Sequence, residues 1–124
     1  FELSSNLVSV ALGNSITSIP LGTFNACSSL ESITIPETVT EIGKFAFDGC
    51  TSLLAIFCRP LTPPAIYYGN SSSSFPFNTE MNIYVPRGSY DDYMRYTTAN
   101  NSIGYVELAN WYAYENYIQP YDFE

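Results

Sequence analysis

Apolar residues recur along this chain at a fixed spacing of 23 positions. When Ser5–Cys27 is laid over Ser28–Cys50, Leu7, Val10, Leu12, Ile16, Ile19, Phe24 and Cys27 stand opposite Leu30, Ile33, Ile35, Val39, Ile42, Phe47 and Cys50. Leu53, Ile56 and Cys58 continue the same frame before it dissolves at Pro63-Pro64. A fixed period of this length predicts a solenoid, each repeat being one coil stacked on the next. Within a coil, Ile33 and Ile35 alternate with Ser32 and Thr34, the period of a strand with one face inward. Pro36 lacks the N–H a ladder needs and ends that strand. Val39 and Ile42 form a second, shorter apolar segment, Gly43 permits the turn after it, and Phe47 and Cys50 close the coil. One coil cannot repay the entropy of ordering itself, so its apolar side chains require neighbours stacked at roughly 4.8 Å.

The frame predicts coils at 5–27 and 28–50, with a partial third at 51–66 that leaves the pattern at its prolines. Phe1–Ser4 reads as the tail of a preceding coil. Residues 67–80 read as a Ser-rich loop, whose Ser run has no core-forming content. Met81–Pro86 repeats the strand grammar with Ile83 and Val85 inward, and is expected to pair beside Ala55–Cys58 as the last rung. A helix follows, with Ser89 as its N-cap and Asp91 and Asp92 in the first turn. Tyr90, Tyr93, Met94 and Thr97 would share one face of it. Trp111, Tyr114 and Ile118 repeat that spacing, and residues 117–123 end as a strand. Residues 81–124 together predict a C-terminal cap over the open end of the core.

The frame L-x-x-I-x-I-P-x-x-V-x-x-I-G-x-x-A-F-x-x-C, read from Leu30 to Cys50, resembles the BspA-type leucine-rich repeat of bacterial cell-surface proteins. Thr62–Pro64, the run from Ile83 to Tyr93 and the run from Trp111 to Ile118 resemble the C-terminal end of such proteins in Bacteroides-like bacteria. The chain departs from that pattern in the long loop at 67–79 and in an apparent insertion at 97–110. The resemblance implies a leucine-rich-repeat solenoid, mainly β and right-handed. It would have short strands with tight or 3-10 turns and be closed by a small α/β cap. It also implies an extracellular or cell-surface location and adhesion to proteins of a host or neighbouring cell.

Composition narrows the chemistry. At 124 residues the chain is one domain's worth, carrying a formal charge of −8 with only 4 Lys and Arg. Nucleic acid and anionic membrane surfaces are poor partners for it, because both are held by basic side chains. No apolar run is long enough to span a bilayer. The chain opens on Phe1 already in frame, without an initiator Met or signal segment, so a mature protein or an excised fragment is expected, the fragment foremost. With no His, Ser–His–Asp and Cys–His catalysis are excluded. Cys27, Cys50 and Cys58 read as buried free thiols: two share one repeat position, where parallel side chains make a poor disulfide. Further metal ligands are lacking, so no metal or cofactor is expected. Asp91-Asp92 reads as helix-dipole compensation rather than a catalytic pair, since adjacent helical residues diverge. The chain is not expected to be an enzyme.

Binding is the natural task of a solenoid, whose outward strand positions align as columns on an open sheet face. Here these are Ser9, Ser32, Ala55 and Asn82, and beside them Ala11, Thr34, Phe57 and Tyr84. Thr34, Phe57, Arg59 and Tyr84 form the candidate ligand-binding strip, suited to a protein segment or a sugar ring. Against this, Phe57 and Tyr84 can be read as packed under the 67–79 loop. An alternative role is that of structural spacer or auxiliary domain in a larger surface enzyme or glycan-handling protein.

Overall fold

A computed structural model describes residues 1–67, 73–76, 80–95, 108–109 and 111–123. Each coil lays down one longer and one shorter strand. The first contributes β1 (Ser9–Ala11) and β2 (Ser18–Ile19), and the second β3 (Ser32–Ile35) and β4 (Glu41–Ile42). The third contributes β5 (Ala55–Cys58) and β6 (Ile66–Tyr67). After these come β7 (Asn82–Pro86), the helix α1 (Tyr90–Met94), β8 (Leu108–Ala109) and β9 (Ile118–Tyr121). The longer strands form one parallel sheet in the order β1-β3-β5-β7-β9.

Register follows the 23-residue frame through β5 and then continues at wider spacings. Val10 pairs with Ile33, Ile33 with Ile56, Ile56 with Ile83, and Ile83 with Ile118. From Ile33 onward this column is buried, because the pleat turns alternate residues to the interior. The first coil is less covered: Leu7, Val10, Leu12 and Ile16 are only partly buried, whereas Leu30, Ile33, Ile35 and Val39 are at most 1% exposed. β2 and β4 form the second ladder, which Ile42 extends by donating its N–H to Ala65 O at 2.8 Å.

A ladder of rings runs parallel to the sheet. Phe1, Phe24, Phe47 and Phe75 stack in turn at 5.7, 5.4 and 5.3 Å between centroids, each pair within 13° of parallel. Phe75 is the instructive member, because it sits in the stretch read from sequence as a loop. Phe45 and Phe47 donate N–H groups to Ser73 O and Ser74 O, as Gly22 and Phe24 do to Lys44 O and Ala46 O one coil earlier. Ser74 and Phe75 therefore take the places of Ala46 and Phe47, and both are buried. The Ser74 hydroxyl accepts from Tyr67 N–H at 2.8 Å and donates to Ile42 O at 3.3 Å, which makes a buried serine affordable. The third coil is thus carried past Ile66 by extra residues that carry no periodic signal.

Two backbone details set how closely the coils stack. Leu3, Ala26 and Gly49 occupy one repeat position and all have positive φ, at 64°, 60° and 74°. Leu3 and Ala26 donate the equivalent hydrogen bonds, to Asn25 O and Asp48 O, so Phe1–Ser4 has the geometry of a coil's closing turn. Gly43 is required for a different reason from the turn expected of it. A Cβ there would lie 2.5 Å from Leu21 N and 2.8 Å from Pro20 C, so only hydrogen fits between the coils.

The three cysteines are free and buried. Cys27 Sγ and Cys50 Sγ each donate to the carbonyl of the coil before, Phe1 O and Phe24 O, at 3.1 Å. Burial pushes the Cys50 and Cys58 thiols up to about 12, so neither ionises at neutral pH.

At the far end the expected last rung is not last: β9 pairs in parallel with β7 and adds a fifth strand to the sheet. The helix begins where expected, with Ser89 at its N-cap and Asp91 and Asp92 in the first turn, though the cap itself is built differently. Residues Arg87–Ser89 form a 3-10 turn, Ser89 is buried, and its side chain makes no capping hydrogen bond. Tyr93 is nevertheless fully buried, with Tyr90 and Met94 packed against the core; Thr97 lies outside the described residues. Tyr93 donates its hydroxyl to Pro60 O at 2.7 Å, and Trp111 its Nε1–H to Pro64 O at 2.7 Å. Trp111 also meets Tyr93 edge-on at 5.1 Å and Phe75 at 5.5 Å, and Tyr114 meets Phe75 edge-on at 5.5 Å. These rings cover the end of the phenylalanine ladder. Of the 97–110 stretch only β8 is described; it pairs antiparallel with β6.

A candidate recognition strip on the sheet face

Because the five strands share one register, their outward residues form true columns. Ser9, Ser32, Ala55 and Asn82 pair in succession, as do Ala11, Thr34, Phe57 and Tyr84. The second column gathers the candidate site. Phe57 and Tyr84 stack at 5.0 Å and 15°, close to the spacing of adjacent strands, which is what two in-register rings must do. Both are half-buried. Arg59 lies two residues beyond Phe57 on the same face, held by its N–H to Ile35 O at 3.0 Å.

Among the described residues, Tyr67 and residues 73–76 are not what covers the aromatics; the rest of the 67–79 loop lies outside them. The described part of that stretch, residues 73–76, packs instead beneath Phe47 on the ladder side. The covering group is the end of β9: Tyr121 meets Phe57 at 5.6 Å and 68°, and Tyr84 at 5.2 Å and 61°, edge-on to both. Phe123 follows, 4.8 Å from the Tyr121 ring and 4.9 Å beneath the Arg59 guanidinium. Between them Asp122 pairs with Arg87 at 2.8 and 3.3 Å. That hydrogen-bonded pairing lowers the Asp122 carboxyl and raises the Arg87 guanidinium.

Thr34, Phe57 and Arg59, with Tyr121, Asp122 and Phe123, line a groove of about 430 Å³. A second hollow of about 350 Å³ shares Arg59, Tyr121, Asp122 and Phe123 and adds Glu37, Leu61 and Arg87 among others. Three of the four sequence-derived site residues thus meet in one groove, while Tyr84 stands one strand over, beneath Tyr121. Tyr121, Asp122, Phe123 and Arg87 were not among the candidates. The only signal for them was the strand expected at 117–123, which contains three of the four but does not say that it pairs with β7.

On the other flank a hollow of about 250 Å³ is lined in part by Glu41, Lys44 and Tyr67. Its polar groups engage one another: Tyr67 Oη lies 3.5 Å from Glu41, and Lys44 Nζ sits 5.9 Å over the Tyr67 ring. Among the described residues no cluster of His, Cys, Asp and Glu has the makings of a metal site, and no helix is long and apolar enough to cross a membrane. The sheet-face groove carries aromatic surface, the hydroxyl-bearing Thr34 and Tyr121, and charges of both signs.

Residues 1–88 match the family described as BspA type leucine rich repeat region (6 copies). The chain belongs to that family. No curated protein matches it. As a BspA-type repeat protein it is a mainly β solenoid, and its repeats provide a module of a kind that commonly mediates protein interactions.

Proposed function

We propose that this BspA-type domain is a non-catalytic protein-interaction and adhesion module on a bacterial cell surface. Its ligand, a segment of a host or neighbouring-cell protein, lies along Thr34, Phe57, Arg59 and Tyr84. The observation that supports this reading most is the ring pair of Phe57 and Tyr84 on the outer sheet face beside a groove of about 430 Å³. Half-buried aromatics flanked by a cation supply large contact area at low entropic cost, the composition of interface hot spots. Selection of a displayed random-peptide library on the immobilised domain, run beside an oligosaccharide array, tests it. An enriched peptide whose binding falls at least tenfold with Phe57→Ala and with Thr34→Arg, at an unchanged fold, supports the reading. Enrichment on the sugars alone would transfer the strip to glycans, and binding indifferent to both substitutions would remove it as the site.

A second reading, the structural spacer, draws on the cover that Tyr121 already places over the same rings. Under it Phe57→Ala lowers the melting temperature and changes no binding.

A further inference from the structure

The groove beside the strip is partly filled by the chain's own Tyr121-Asp122-Phe123. We infer that this segment is a built-in stand-in for the ligand: the strip takes an extended peptide with an acidic residue between two aromatic ones, and the tail yields to it. The inference rests on the proposed strip and names what occupies it.

Three observations carry it. Each tail residue has its own complement on the sheet face: Tyr121 sits edge-on over Phe57 and Tyr84, Asp122 pairs with Arg87, and Phe123 lies 4.9 Å beneath the Arg59 guanidinium. Two of the chain's 4 basic residues, Arg59 and Arg87, thus bracket this one segment, although the chain as a whole carries −8. Once Asp122 is lifted away, Arg59 and Arg87 outnumber Glu37 in the lining, which favours an acidic ligand at this spot.

The second observation is how lightly the tail is held. The Arg87 and Asp122 side chains are 61% and 76% exposed, so their pairing is screened by water and salt. Tyr121 is itself 40% exposed. The backbone hold on the segment ends with β9 at Tyr121, so Asp122 and Phe123 can lift without opening the sheet. The third is the space beside it. Hollows of about 430 and 350 Å³ adjoin the tail, both lined by Arg59, Tyr121, Asp122 and Phe123. A segment longer than the tail has room to gain contacts the tail does not make, which is the differential affinity that displacement requires.

The test uses the full chain and a fluorescein-labelled hexapeptide copying residues 119–124, followed by anisotropy. The double variant Asp122→Ala/Phe123→Ala, altered at an exposed and a half-buried residue beyond the last strand, releases the tail; Arg87→Ala releases it by a second route. The double variant, with Arg87 intact, is expected to bind the hexapeptide at least tenfold more tightly than wild type, and Arg87→Ala to gain less because it also removes the partner of the acid. Adding Phe57→Ala to the double variant should abolish the gain, and an Asp→Asn peptide should bind more weakly. Equal binding to wild type and double variant overturns the inference, as does a gain that survives Phe57→Ala. If a library-selected peptide binds at Phe57 while the hexapeptide binds neither form, the strip stands and only this inference falls. If neither peptide responds to Phe57→Ala, both fall.

Discussion

The phenylalanine ladder gives the sharpest prediction about stability. Phe47 is fully buried and stacks on Phe24 at 5.4 Å and on Phe75 at 5.3 Å, so Phe47→Ala removes a ring contacted on both faces. Truncating a buried phenylalanine to alanine costs about 3–5 kcal/mol, and two ring pairs worth about 0.5–1.5 kcal/mol each place this site toward the upper end. Unfolding entropy of about 2.1 cal/mol/K per residue over 124 residues makes a loss of about 4 kcal/mol equivalent to roughly 15 °C in melting temperature. Phe1 is the internal control. It occupies the same column, yet is 70% exposed and stacks on one face only, so Phe1→Ala should cost under about 1 kcal/mol, or less than about 4 °C. Far-UV circular dichroism melts of the two variants and wild type make the comparison, with a urea titration to verify a single cooperative transition. A fall below about 5 °C for Phe47→Ala, or equal falls for both variants, would refute the idea that one continuous ring stack holds the coils together.

Three further outcomes follow from particular contacts. Gly43→Ala should destabilise by several kcal/mol despite alanine's small size, because the new methyl collides with the backbone of Pro20 and Leu21; a wild-type melting curve would show that the coils can separate freely. Ala26→Gly should stabilise by up to about 1 kcal/mol, since alanine at φ 60° carries left-handed strain that Gly49 avoids one coil later, and an unchanged or lower urea midpoint would contradict it. Asp122 should titrate below its ordinary value of 3.8 because of Arg87. A lowered folded-state value means the contribution of the pair is present above the unfolded value and lost as pH falls through the folded one. Carboxyl-carbon NMR should therefore show Asp122 protonating later than free aspartate on acidification, and Arg87→Ala should return it to normal.

Much of the fold was legible because a solenoid writes its tertiary contacts into its sequence. Residues 23 apart touch, so Val10, Ile33 and Ile56 had to be alike in size and polarity, and the same constraint singled out the outward column of Thr34, Phe57 and Tyr84. The repeat, its inward and outward faces and two members of the groove, Thr34 and Phe57, were therefore legible from periodicity alone. The tertiary structure decided what periodicity cannot encode. Phe75 rejoins its column only after extra residues break the count. Trp111 reaches Pro64 across 47 positions, and Tyr121 settles over Phe57 through a fifth strand that no repeat announces. The last two contacts occur once each among the described residues, so no second copy marks them, and only three-dimensional packing says which surface each meets.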